Sequence, residues 1–422
     1  MHSSIAVLPL ELSFHGRVRA TVNHPMTGDQ AWRNPVTLLI LMSVAMPVAF
    51  STWSVLLNNF VVERAAFTGV EIGILQSLRE VPGLLSVSVV LVLLIIREQS
   101  LALVSLAVLG IGVAITGFFP SALGLYCTTL LLSLGFHYFE AIKQSLSLQW
   151  LSHDEAPRIL GRLIAAGSVT SLVVYSLLWV CIEILKLDYV VMLLVAGGVC
   201  ALLAIAICLA FPEFPSKTPQ HKTLVLRRRY WLYYALIFFS GARRQIFIVF
   251  AAFLMVEKFG YSAGQITLLF LFNYAFNWFF AERIGRIIHV IGERRAMSVE
   301  YGGLIIVFSA YGLVQNAHVA AVLYIIDHMF FAMYIAMNTY FHKIADPRDL
   351  ASSAGVTSTI NHIAAVIVPA TLGLVWMSSQ ALVFYIGTGF ALCSLLLVQN
   401  IPSRPSPGNE TIIALPKRFT RH

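Results

Sequence analysis

A chain of 422 residues that is 58% hydrophobic and only 11% charged is excluded from the soluble globular class, where about a quarter of residues are charged. Its mean hydropathy of +0.81 indicates a polytopic membrane protein, with the lipid bilayer as its first partner. The net charge of +8 would suit nucleic acid, but the placement of the basic residues assigns it to membrane orientation, and no nucleic-acid partner is expected.

Residues 1–35 lack a basic start followed by a long apolar run, so they read as a cytoplasmic N-terminal tail and not as a signal peptide, with Met26 an alternative start. Apolar spans follow at 36–61, 70–96, 100–119, 121–149, 159–184 and 188–211. A polar cytoplasmic linker at 212–230, containing PEFPSKTPQHKTLVLRRR, precedes six more, at 231–256, 262–288, 296–314, 318–343, 350–376 and 380–400. A cytoplasmic tail at 401–422 ends the chain. The spans are too long for membrane strands and do not alternate, so helices are predicted. The expected fold is an all-α membrane protein with twelve transmembrane helices in two six-helix pseudo-symmetric halves, 36–211 and 231–400.

Lys and Arg set the orientation. With both termini cytoplasmic, 21 of the 28 lie inside and only Arg64, Lys186 and Lys258 outside, while Arg79, Lys143, Arg243 and Arg244 fall within spans. That asymmetry predicts a multi-pass protein with both termini cytoplasmic, and its compactness, with short tails and loops, points to the cytoplasmic (inner) membrane. The five cysteines are scattered through apolar stretches with no C-x-x-C, the usage of small core filler, so neither disulfides nor metal ligation is expected.

The halves repeat weakly, at an offset near 190. TGVEIGIL (68–75) matches FGYSAGQI (259–266), and EAPRILGRLIAAG (155–167) matches ADPRDLASSAGVT (345–357). The second pair aligns Pro157-Arg158 with Pro347-Arg348, and Gly161/Ala165 with Ala351/Gly355, small-residue pairs of the kind that lets helices approach closely. Parallel six-helix repeats are a transporter architecture.

The loop ERIGRIIHVIGERRAM (282–297) resembles the G-x-x-x-D-[RK]-x-G-[RK]-[RK] gating loop of the major facilitator superfamily. Gly285, Gly292 and Arg294 match and Arg295 lies just beyond, while His289 replaces the acid, Val290 the first basic residue and Glu293 the second. The first-half equivalent, LLIIREQSL, retains almost nothing of it. With the span count, orientation and repeat, the resemblance covers about residues 36–400. It implies that the third and sixth helices of each half lie outermost against lipid, and that the first and fourth line a central cavity.

The charges follow that division. An arginine at mid-membrane costs about 2.5–3.5 kcal/mol on insertion scales, yet Arg243 and Arg244 sit side by side at the centre of span seven. Neighbours on a helix are about 100° apart, so one is expected to face the cavity and the other a neighbouring helix, with Gly241 and Ala242 leaving room. His137, Glu140 and Lys143, at i, i+3 and i+6 on span four, share one face. A substrate- or proton-handling stripe and a self-satisfied Glu140–Lys143 pair both fit. A metal centre would need more carboxylates on facing helices. Arg79-Glu80 on span two reads equally as a structural pair or a substrate contact. Asp327-His328 on span ten suits proton coupling or a structural partner for an arginine. Asn361-His362, Thr357 and Thr359 on span eleven, and Asn273 and Asn277 on span eight, suit interhelical hydrogen bonds or substrate. Trp53 and Tyr138 are candidate stacking surfaces.

Arg79, Lys143, Arg243, Arg244 and Asn361 are therefore the expected substrate-binding residues. Glu80, His137, Glu140, Asp327, His328 and His362 are the expected proton-coupling residues. The guanidinium fork matches carboxylate or phosphate, which points to a small anionic or zwitterionic substrate moved by alternating access, with protons or another coupling ion. Rival readings are an efflux pump for amphiphilic, drug-like or metal-chelate compounds, and a non-transporting sensor or assembly factor of the same fold. No H-E-x-x-H, G-x-S-x-G or G-x-x-x-x-G-K-[ST] occurs, so neither an enzyme nor a cofactor is expected.

Overall fold

The structure is a computed structural model and describes residues 32–151, 155–215, 226–346 and 350–413. The tail with Met26, most of the linker and the Pro347-Arg348 pair lie outside the described residues. The chain forms α1 (Pro35–Ala65), α2 (Gly69–Leu84), α3 (Glu98–Thr116), α4 (Ala122–Trp150), α5 (Ala156–Glu183) and α6 (Tyr189–Ala210), then α7 (231–257), α8 (Ala263–Ile291), α9 (Glu293–Leu313), α10 (317–344), α11 (Leu350–Ser378) and α12 (Gln380–Val398). No strand is present among the described residues. Among the described residues, ten helical segments are long and apolar enough to cross a membrane.

Local chemistry sets the helix starts. Asn34 caps α1, its Oδ1 accepting from the Thr37 amide at 2.9 Å, with Pro35 in the first turn. The weak sequence repeat at the start of α2 and α8 is a repeated cap. Thr68 and Glu71 form a reciprocal capping box, and so do Ser262 and Gln265. Those bonds satisfy amides that would otherwise be orphaned at the membrane edge, so the motif persists where the rest of the repeat has drifted.

Two expectations need correction. Span two was expected to run to residue 96, but its regular helix ends at Leu84 and continues as short turns to Val92. Pro82 weakens the last turn, and Ser88 Oγ competes there by donating to the Leu85 carbonyl at 2.6 Å and meeting Tyr138 Oη at 2.6 Å. Gly161 is not a close-packing position, since a Cβ there would meet nothing within 4 Å. Close approach occurs elsewhere: α3 meets α6 where a Cβ on Gly110 would lie 2.6 Å from the Gly197 carbonyl.

The outer helices expose apolar side chains, among them Leu202 and Leu209 on α6, Ile306 and Leu313 on α9, and Leu396 on α12. That is the surface a lipid-facing helix requires. The two halves meet along α2 and α11 and along α5 and α8. A Cβ on Gly73 would collide with the Pro369 carbonyl, and one on Gly373 with the Gly69 carbonyl. Beside them, Ser77 Oγ accepts from the Ala370 amide at 2.9 Å, one step past the proline that interrupts α11. Tyr175 on α5 packs edge-on against Tyr274 of α8 at 5.1 Å. Asn59 at the end of α1 donates to the Tyr261 carbonyl at 2.7 Å. These contacts lie from the middle of the bundle toward the loops that follow α1, α5, α7 and α11.

Candidate functional site

The arginine pair sits where α7 departs from regular geometry. Trp231–Gln245 is α-helical, Ile246–Ala251 is a π-helical segment, and Ala252–Glu257 resumes the α-helix. Such inserts are frequent at functional sites. Gly241 lets α7 close on α11, for a Cβ there would stand 2.8 Å from Asn361 Oδ1. The 100° step then separates the neighbours. Arg243 turns into the second half and is 3% exposed, whereas Arg244 is exposed.

Arg243 Nη2 lies 3.9 Å from Glu300 Oε1, and its guanidinium stacks on Tyr301 at 4.5 Å from the ring centroid. Asp327, 2% exposed, completes the group from α10. Together they border a cavity of about 140 Å³. Its walls are Arg243, Arg244 and Phe247 of α7, Glu300, Leu304 and Phe308 of α9, Asp327, Phe330 and Tyr334 of α10, and Asn361 of α11. Among the described residues, Nε and Nη2 of Arg243, Oε2 of Glu300 and Oδ1 of Asp327 make no hydrogen bond. A buried polar atom left so costs about 1–3 kcal/mol, and here such atoms converge on one space.

This cavity differs from expectation in two ways. All the walls belong to the last six helices, whereas residues of both halves were expected to share one site. Also, α9 was expected outermost and nearly bare of charge, yet it contributes Glu300, 4% exposed. Sequence reasoning missed that acid because it falls only four residues into its predicted span and reads as interfacial. The signal available was its separation by about one and a half helical turns from the basic edge at Arg294-Arg295.

The remaining candidates form other groups. Arg79 donates to Glu80 Oε1 through Nε at 3.1 Å and Nη2 at 2.6 Å. The other oxygen, Oε2, lies 3.1 Å from His362 Nδ1 across the boundary between the halves. His137 stands edge-on to His362 at 5.0 Å. The stripe predicted on α4 is thus divided, because Glu140 and Lys143 pair with each other while His137 joins Glu80. His328 lies beside Phe247 at 6.0 Å. Thr357 and Thr359 donate to carbonyls of their own helix, and Asn273 is buried. Trp53 is 1% exposed and belongs to the core, not to a stacking surface. Tyr138 is bonded to Ser88. The side chain of Asn277 and that of the loop's His289 lie outside the described ones, as does Gly285.

In the loop between α8 and α9, Gly292 adopts φ +83°, a conformation that favours glycine. Arg294 Nη2 donates to Gln399, which caps the end of α12, at 3.1 Å, and Arg295 is exposed. Glu293, the residue of inverted charge, pairs with Lys343 at 2.6 Å, tying the loop to the end of α10.

A polytopic helical bundle that holds a charged cavity at membrane depth is the build of a solute carrier. A sequence model of the Major Facilitator Superfamily matches residues 38–369, and the chain belongs to that superfamily. Similar solved structures include a variant of the nucleoside transporter NupG, with a TM-score of 0.72 and 15% identity, covering 87% of this chain and 99% of that one. A bacterial homolog of the human lysosomal transporter Spinster, inward-facing and occupied, has a TM-score of 0.67 and 11% identity over 86% of this chain and 95% of its own. An auto-inhibited peptide transporter of the POT family has a TM-score of 0.66 and 10% identity over 86% and 96%. At such identities the likeness is one of fold. No curated protein matches the chain.

Proposed function

We propose that the protein is a secondary active transporter that carries a small anionic or zwitterionic solute by alternating access of its two halves, 36–211 and 231–400, about the linker 212–230. It would lie in the cytoplasmic membrane with both termini inside, as the distribution of Lys and Arg supports. The observation that carries the reading is the charge arrangement of the α7–α9–α10–α11 cavity. One buried guanidinium faces two buried carboxylates, and a second, exposed guanidinium at the same cavity has no carboxylate partner among the described residues. Arg244 is suited to hold the anionic group of a solute. Arg243 cannot neutralise both Glu300 and Asp327, so the balance is met by a proton or by the positive end of a zwitterion, which is the basis of coupling. Phe247, Phe308, Phe330 and Tyr334 offer an apolar or aromatic part of the solute a surface. Nucleosides and peptides, carried by proteins of similar fold, are compounds to include among the first tested.

The test is a stability screen of purified protein against carboxylates, phosphates, amino acids, dipeptides and nucleosides, followed by counterflow of any stabilising compound in proteoliposomes. Transport should fall at least tenfold in Arg244→Ala and Asp327→Asn. Unchanged transport in Arg243→Ala, Arg244→Ala and Asp327→Asn would sink the assignment.

A further inference from the structure

Glu80, His137 and His362 come from three helices, α2 and α4 of the first half and α11 of the second. One ligand atom of each lies within 4.8 Å of the others. Glu80 Oε2 and His362 Nδ1 are already 3.1 Å apart. A tetrahedral metal with bonds of about 2.0–2.1 Å needs ligand atoms roughly 3.4 Å apart, so a side-chain rotation of about an ångström brings the third atom into place.

Three features prepare the group for an ion. Arg79 engages only Oε1 of Glu80, which fixes the carboxylate and leaves Oε2 for another partner. The Arg79 carbonyl accepts from Ser133 Oγ, one turn before His137 on α4, which fixes α2 against α4 beside the group. Gly83 makes the space, since a Cβ there would strike the His362 ring and lie 2.6 Å from His137 Cε1. Two imidazoles and one carboxylate select borderline transition metals over calcium or magnesium and leave a fourth position for water or an anion.

We propose that Glu80, His137 and His362 form a site for a divalent transition metal such as Zn2+ or Co2+, and that its occupancy clamps α2 and α4 to α11. The clamp, though not the binding, rests on the alternating-access reading: α2 and α11 are in contact in this structure and must part when the carrier opens toward the loops after α1 and α7. Bound metal therefore holds the state described here and arrests transport.

Purified full-length protein in detergent is titrated with CoCl2 and then ZnCl2. The expected result is one Co2+ per chain with the intense visible bands of a tetrahedral ion, displaced by zinc. His137→Gln and His362→Gln should each weaken binding tenfold or more. Gly83→Ala should do the same with all three ligands present, and the exposed His342→Gln should have no effect. Hydrogen exchange at 66–68 and 258–262 should slow with zinc in the unaltered protein and not in His362→Gln. Weak cobalt bands that are identical in the unaltered protein and the His137→Gln/His362→Gln variant overturn the site. Tight binding without any change in exchange overturns the clamp, while a failed solute screen touches neither cobalt result.

Discussion

Arg243 and Glu300 face each other at 3.9 Å with 4% and 6% of their side chains exposed, an ion pair between α7 and α9 that is almost wholly out of solvent. Removing one partner of such a pair leaves an uncompensated charge, which costs about 3–5 kcal/mol. Arg243→Met should therefore lower the thermal midpoint in detergent sharply. Arg243→Met combined with Glu300→Gln and Asp327→Asn should recover most of the loss. If the single variant melts with the unaltered protein, the pair is not structural.

Arg244 should behave oppositely. It is exposed and pairs with no carboxylate among the described residues, so Arg244→Ala should change stability by no more than about 0.5 kcal/mol. The stabilisation given by a bound anionic solute should disappear in the same variant. Comparing melting curves with and without solute checks both halves of the statement.

The contact of α2 with α11 is set by backbone proximity. Gly73→Ala would drive a methyl group against the Pro369 carbonyl, and overpacking of this sort costs about 1–3 kcal/mol. The variant should loosen the end of the bundle near the α1–α2 loop and raise hydrogen exchange at 66–70. Gly161→Ala, in open space, should leave exchange there unaltered.

Glu293 and Lys343 offer a charge-swap test. Lys343 is half exposed, so the pair contributes up to about 1 kcal/mol. Glu293→Arg restores the residue type of the superfamily loop but sets two cations together, and it should reduce stability modestly. Glu293→Arg with Lys343→Glu should return it. A double-mutant cycle from thermal melts measures the coupling.

Much of this was legible in the residues. Long apolar spans, capped by Thr68–Glu71 and Ser262–Gln265, define the helices because a bilayer admits few other solutions. The 100° step leaves Arg243 buried and Arg244 exposed, although both border the cavity, and Gly241 was read as the source of room. Which arginine turns inward could not be read, since that depends on Glu300, an acid from a helix judged lipid-facing. Helical periodicity put His137, Glu140 and Lys143 on one face and left a Glu140–Lys143 pair as one of two readings, and the two do pair. His137 turns instead to Glu80 and His362, 57 and 225 residues away in the chain, and pairings at such separations are tertiary facts that no local pattern encodes.

The π-helical segment at Ile246–Ala251 makes α7 two rods joined out of phase. Its outer part can keep the apolar face it buries while the inner part aims the arginines, because the wider turn absorbs one residue's worth of rotation. Tightening 246–251 into regular α-helix with no residue lost would swing Arg243 and Arg244 by about 100° relative to the outer rod, whereas deleting one residue there would straighten the helix and leave both faces in place. The cavity's charge thus hangs on the winding of one turn as much as on the identity of any side chain.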